Sequence, residues 1–470
     1  MWENAMSSSS FGVGNALTVN GSGLGTGIDV STMVDQQMSI LREPEVAWQN
    51  EQTTLSNQSS ILAALESGLQ TLQTDIQAFT DVTGEFSAKT TSSSDSTQVT
   101  ATADATALAG THSIVVNNLA TTSSYVTDVA LADGDTTFAQ GSFTIQVGTS
   151  PAVTVTVDST DDTLNTLAAA INKQNIGVTA SVITDANGAR LSLLSGTSGA
   201  AGDITIDPAQ DPKGPTDPNA NTTGLTFDKK VTGNNASFTV DGIDISSAGN
   251  SVSGVIPGVT LNLQSATQNP NQPVTLTVSP DTSAMTSAIN SFVSDYNTMV
   301  KAINNQFAYD PTTDSSPPAL LGDSGLELVQ QQLYSAVGFS IGGNNGIVNL
   351  ESLGVSMNDD GTLTVNSSTL SSVLSSQPNN VLNFFQGGVN SWGENFNTSL
   401  YQMTDPLSGA LNVELANNTQ QQNDLTSQIN DFEARLAVQQ QQLIDEYSTI
   451  NTTLEQLPTT LSQIKAQLGG

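Results

Sequence analysis

The sequence predicts an α+β multidomain protein in which a helical coiled-coil stalk, built from both termini, carries two β-rich head domains, the outer inserted into the inner. Three observations lead there. Apolar residues recur every seventh position at both ends of the chain, strand-like alternation fills the middle, and a proline-rich stretch interrupts that middle. A seven-residue apolar period is the seam of helices that supercoil around a partner helix. Helical ends around a β-rich middle imply a hairpin topology, an architecture suited to assembly more than to catalysis.

Residues 1–29 are rich in Ser, Gly and Asn and read as a disordered terminal segment. Within them GSGLGTG, Gly21 to Gly27, lacks the preceding strand and following βαβ pattern of a dinucleotide site. It reads instead as a flexible lead into a helix capped by Asp29 or Ser31. Residues 30–85 are the N-terminal stalk helices, with Val34, Leu41, Trp48, Leu55, Leu62, Leu69 and Ile76 at seven-residue spacing. Pro44 should divide the helical region, because proline removes a donor and disfavours helix in the residue before it. The second seam position is polar early (Gln37, Glu51, Gln58) and apolar later (Leu65, Leu72, Phe79). The later heptads should therefore pack firmly, and the earlier ones should need a partner chain.

Residues 86–126 turn to Thr, Ser and Val, with strand-like SIVVNNLA from Ser113 to Ala120, and form the first part of an inner head domain. Residues 127–206 form the outer head. Ile145 and Val147, then Val153, Val155 and Val157, alternate as strands. Asp161 and Asp162 precede the short amphipathic helix of Leu164, Leu167, Ala168 and Ile171. Val178, Ala180 and Val182 form another strand, and Asn187-Gly188 is a tight hairpin turn toward Leu191 and Leu193. Residues 207–230, with four prolines between Asp207 and Gly224, are a linker. Residues 231–280 return to the inner head: Phe238 and Val240, a turn at Asp241-Gly242, Ile243 and Ile245, then two more alternating runs at 259–263 and 274–278.

Residues 281–410 form a helical and hairpin part of the stalk domain, with helices from Met285 to Val300, Leu326 to Val337 and Leu370 to Phe385, and a strand in GTLTVN, Gly361 to Asn366. Residues 411–470 are a C-terminal coiled-coil helix that Pro458 should bend. Its series is Leu415, Ile429, Leu436, Leu443, Ile450, Leu457 and Ile464, broken only by Gln422. The candidate assembly seam is Leu41, Trp48, Leu55, Leu62, Leu69 and Ile76 with Leu425, Ile429, Phe432, Leu436, Leu443 and Ile450. It should close within the chain near residues 60–80 and 425–445, leaving the outer helical ends for other subunits.

Composition narrows the function. The chain has 10 Lys+Arg against 44 Asp+Glu, a formal net charge of −34. Phosphate binding needs clustered cations, so neither nucleic acid nor an anionic membrane is an expected partner. Cysteine is absent, which excludes disulfides and thiolate sites. No secretory signal and no membrane-length apolar run is legible, so a chain that leaves the cell would use a route without a cleaved signal peptide.

No cofactor, metal or catalytic site is expected. His112 stands alone in an apolar strand run, GTHSIVV, and reads as an exposed or strand-edge residue. Asn358-Asp359-Asp360-Gly361 hints at calcium but lacks the further oxygen ligands at fixed offsets, so it reads as a plain turn. A carboxylate-dependent glycoside hydrolase is an alternative by residue type alone, weakened by only 3 Trp for sugar platforms. A secreted adhesin binding host or surface glycans is a second alternative.

Several segments are similar to one known family. GLGTGIDVSTMVDQQM, Gly23 to Met38, resembles the start of the flagellar filament cap proteins, also called flagellar hook-associated protein 2. Phe143 to Ile206, particularly DTLNTLAAAINKQNIGVTASV, is similar to the small α+β repeat of flagellar hook-associated proteins. FTVDGIDISSAGNSVSGVIPGVTLNL, Phe238 to Leu263, resembles the family's second head segment, and FVSDYNTMVKAIN and ALLGDS match the start of its C-terminal half. The resemblance implies a non-enzymatic, extracellular homo-oligomer, usually a pentamer, at the tip of the growing flagellum. It would be exported unfolded through the flagellar channel and would promote insertion of arriving flagellin and prevent its leakage. Flagellin, hook–filament junction proteins and an export chaperone are the partners it implies.

Overall fold

A computed structural model describes residues 30–207, 223–314 and 316–468. The expectations of disorder before the first helix and of a linker at 208–222 therefore fall outside the described residues. Nine α-helices occur among the described residues: α1 (Val30–Leu41), α2 (Glu43–Thr80), α3 (Leu164–Lys173), α4 (Thr282–Phe307), α5 (Ser324–Val337), α6 (Ser367–Ser376), α7 (Pro378–Gln386), α8 (Trp392–Met403) and α9 (Ala410–Gln467). With the antiparallel sheets described below they make the fold α+β. The chain divides into two compact units.

The first unit comprises residues 1–67, 303–329 and 403–470. Arg42 separates α1 from α2, and Pro44 sits in the opening turn of α2, where its missing N–H is one that a helix start leaves unbonded anyway. Pro458 does not end α9, which runs on to Gln467.

The second unit comprises residues 68–302 and 330–402. Its inner β part has a five-stranded sheet in the order Lys89–Ser93, Val274–Pro280, Gly110–Asn118, Ala236–Val240, Ile243–Ser247, and a three-stranded sheet of Ser251–Ile256, Val259–Leu263 and Val99–Ala103. Inward-facing Ile114, Val116, Phe238, Leu261 and Leu276 are fully buried in its core, as strand alternation dictates. His112 lies inside the sheet, opposite Leu276, rather than at an edge, and its Nδ1 is 2.8 Å from Asp241 Oδ2. The outer β part pairs Phe227–Val231, Thr122–Thr127, Gly188–Ser198 and Val178–Asp185 in one sheet, and Val153–Val157, Gly141–Val147 and Ile204–Asp207 in another. Its own core holds Phe143, Val155, Leu167, Ile171, Leu191 and Phe227.

Two boundaries differ from the sequence reading. Thr122–Thr127, assigned to the inner head up to residue 126, pairs with strands of the outer sheet, and Phe227–Val231, assigned to the linker up to residue 230, is the strand beside it. Long-range pairing decides membership here, and both segments are too short for local pattern to reveal it. Thr163 caps α3, accepting from the Thr166 N–H in a reciprocal capping box.

Aromatic packing builds the helical part of this unit. Phe79, Phe86, Phe292, Phe384, Phe385, Trp392 and Phe396 are buried together, with ring centroids 4.7 Å apart for Phe79–Phe86 and 4.9 Å for Trp392–Phe396. Trp392 Nε1 donates to the Val337 carbonyl at 3.3 Å, satisfying the indole. Leu363–Val365 pairs with Val355–Met357 across the Asn358–Gly361 turn, where the Asn358 N–H donates to Thr362 O at 2.8 Å.

Candidate functional site

The seam of terminal helices lies in the first unit, where α1 and the opening half of α2 run antiparallel to α9. Numbers rise on one side as they fall on the other. Tyr447 donates to Gln37 Oε1 at 3.0 Å, Trp48 meets Phe432 edge-on at 5.1 Å, and Gln52 Nε2 donates to Thr426 Oγ1 at 2.7 Å. Further along, Gln422 Nε2 donates to Ser59 Oγ at 3.4 Å and Asn412 Nδ2 to Glu66 Oε1 at 3.3 Å. Residues 425–445 consequently face residues from about Val34 to Gln52, not 60–80 as the heptads suggested. A seven-residue period marks a face but carries no register.

The early heptads bury part of their apolar face within the chain: Val34 and Met38 are 2% and 5% exposed, buried with Leu436 at 1%. Val30, Leu41, Phe432, Leu443, Ile444 and Tyr447 close over them. Leu55, Leu62 and Ile429 are also buried, whereas Trp48 and Leu425 are half-buried and Ile450 is exposed. Leu69 and Ile76 are buried and belong to the second unit.

Few charges enter the seam. Glu45 is buried, and its carboxylate is held by Arg42 Nη1 at 2.9 Å and Gln49 Nε2 at 3.1 Å. Arg435 stacks over Phe432 at 5.6 Å from the ring centroid. Sequence reasoning missed both arrangements, although Arg42 and Glu45 at i, i+3 on adjoining helix turns were a readable signal. It also missed Glu414, whose carboxyl is raised to about 7 by burial first and then by the neighbouring Asp323 carboxyl.

Past Tyr447 the apolar face of α9 meets water. Ile450, Leu457, Leu461, Ile464 and Leu468 are between 40% and 80% exposed. With Leu454 they recur at alternating steps of four and three, the a/d pattern of a coiled coil. The row of Leu454, Leu461 and Leu468 is the companion that the seven-residue series alone did not reveal.

Family models match almost end to end: the flagellar hook-associated protein 2 N-terminus over residues 26–123, the flagellin hook IN motif over 142–197, and the flagellar hook-associated protein 2 C-terminus over 233–459. The chain belongs to the flagellar hook-associated protein 2 family. The B-type flagellar hook-associated protein 2 of Pseudomonas aeruginosa is 29% identical over 423 residues, covering 86% of this chain and 88% of that protein. The flagellar hook-associated protein 2 of Escherichia coli K12 is 28% identical over 468 residues, 96% and 98% of the two chains. The fold is similar to a crystal structure of the D1-D2-D3 domains of the Escherichia coli flagellar cap protein FliD, with TM-score 0.56 and 26% identity over 76% of this chain and 99% of that one. Nothing in these likenesses supports the adhesin or hydrolase alternatives.

Proposed function

We propose that this chain caps the distal tip of the bacterial flagellar filament, promoting flagellin polymerisation and preventing flagellin leakage. Membership of the hook-associated protein 2 family, over both its N-terminal and C-terminal models, carries the reading. The protein is a structural component of the flagellum rather than an enzyme. It associates with copies of itself and with flagellin.

The finer assignments extend from there. Residues 30–85 and 411–470 form the stalk that assembles the cap, and the seam residues Leu55, Ile429, Phe432 and Leu436 hold each stalk together. The exposed row from Ile450 to Leu468 supplies the contacts between molecules, in a pentamer. Its apolar a/d spacing on one helix face supports that division of labour. Export without a cleaved signal peptide, contact with hook–filament junction proteins and escort by an export chaperone belong to the same proposal. Gene deletion tests it: the strain should shed monomeric flagellin into the medium and carry short or no filaments. Normal filaments on the deletion strain would refute it.

A further inference from the structure

Two carboxyls, Asp323 and Glu414, meet in the first unit with no cation beside them among the described residues. Asp323 caps α5, its Oδ1 accepting from the Leu326 N–H at 2.8 Å. Glu414, in the opening turns of α9, sits on the same helix start. A Cβ built on Gly325 would lie 3.0 Å from Glu414 Oε2 and 3.3 Å from Oε1, so glycine there leaves the space that the carboxyl occupies. Glu414 Oε2 is buried and has no hydrogen-bond partner. The sequence holds no Lys, Arg or His from residue 302 to residue 434.

We propose that Glu414 and Asp323 form a proton-operated clasp: sharing one proton they tie α9 to the first turn of α5, and with no proton they drive the two apart. The closed state is an acid–carboxylate hydrogen bond, in which the protonated oxygen donates to the ionised one. Opening releases that proton to water. A helix start favours one anion, and Asp323 already takes that place with its cap. A second carboxylate on the same turn meets repulsion and a partly dry setting, and these outweigh the helix dipole. The outcome is a Glu414 carboxyl raised to about 7, burial being the larger cause and Asp323 the other. Other acids around this point are Glu66 on α2, bonded to Asn412, Glu327 on α5, and Asp405 before α9, which accepts from Leu407 N and Ser408 N.

The direction of the response follows from linkage. A carboxyl whose folded value is raised stabilises the folded contact below its ordinary value, and that contribution is lost as pH rises through about 7. A single proton limits the opening equilibrium to about tenfold per pH unit, and partial exposure of Glu414 lowers the response below that. The clasp is independent of the capping role and is read on the purified chain.

Hydrogen exchange of the full-length chain, corrected for intrinsic rates, is followed from about pH 5 to about pH 8 in peptides covering Ser324–Val329 and Ala410–Leu415. Wild-type protection should fall several-fold to tenfold per unit on approaching neutrality and then level off. Glu414→Gln keeps the shape but cannot ionise, so its protection should stay high and flat. Asp323→Asn preserves a capping side chain and removes the repulsion, and should move the fall down toward the ordinary glutamate range. A flat wild-type profile overturns the proposal, as does wild-type pH dependence in Glu414→Gln. If Glu414→Gln does not fold, an unmoved midpoint in Asp323→Asn overturns it.

Discussion

Replacing Leu436 by aspartate should release α1 from α9 while leaving both β parts folded. Leu436 is 1% exposed and is the α9 residue buried with Val34 and Met38. Removing its buried side chain costs about 1.5–3 kcal/mol, and placing a carboxyl in the same apolar seat adds about 1–3 kcal/mol. A helix of the 12 residues of α1 is marginal by itself, so it has no reserve to meet that loss. A total of about 3 kcal/mol or more corresponds to roughly a hundredfold rise in the open population. Arg42, between α1 and α2, gives a direct readout through tryptic cleavage after it. Val438→Asp is the control, because Val438 lies on the same helix at 59% exposure. Faster cleavage at Arg42 in Leu436→Asp alone is the expected result. Equal rates in the two variants would refute the packing argument.

Other outcomes follow from particular groups. Tyr296→Phe should be neutral or stabilising by up to about 1 kcal/mol in thermal unfolding, since the buried Tyr296 hydroxyl has no hydrogen-bond partner and burial raises its pKa. Gly258→Ala should destabilise the inner β part, because Gly258 has φ +73 and a Cβ there would sit 2.6 Å from Ala107 N; thermal unfolding of the variant measures it. Asp95, Asp104, Asp158, Asp310 and Asp360 each accept from the threonine two residues on, first through its hydroxyl, which holds their carboxyls below the usual range. Their contribution is present above the ordinary aspartate value and is lost as pH falls through the depressed one, so Asp104→Asn should reduce proton uptake on acid unfolding. A fragment of residues 88–281 should fold alone, because both β cores lie within it, and circular dichroism with thermal melting checks that.

Local periodicity carried much of this fold. The heptad leucines of α2, the strands at 141–147 and 153–157 and the stripe of α3 all rest on neighbours a few residues away, which a sequence displays directly. Pairing partners were not displayed. The antiparallel sum of positions across the seam and the membership of Thr122–Thr127 arise from contacts between residues far apart in the chain. The helix α8 was missed although Trp392, Phe396 and Leu400 recur every fourth residue, a stripe short enough to pass for loop. The split between α6 and α7 at Gln377 was readable from Pro378, which begins the second helix. Burial of Glu45 and the raised carboxyl of Glu414 needed three-dimensional neighbours that no spacing rule supplies.

In the proposed function, copies of this chain assemble through the outer face of α9 to cap a filament. The most direct test is filament length in a deletion strain complemented with Leu457→Asp, Leu461→Asp and Ile464→Asp combined. These side chains are 46%, 55% and 47% exposed in the single chain, so their loss costs little intramolecular packing and reports contact with other molecules. Short or absent filaments and flagellin in the medium are expected, with the variant present at wild-type level. Wild-type filaments from that strain would contradict it.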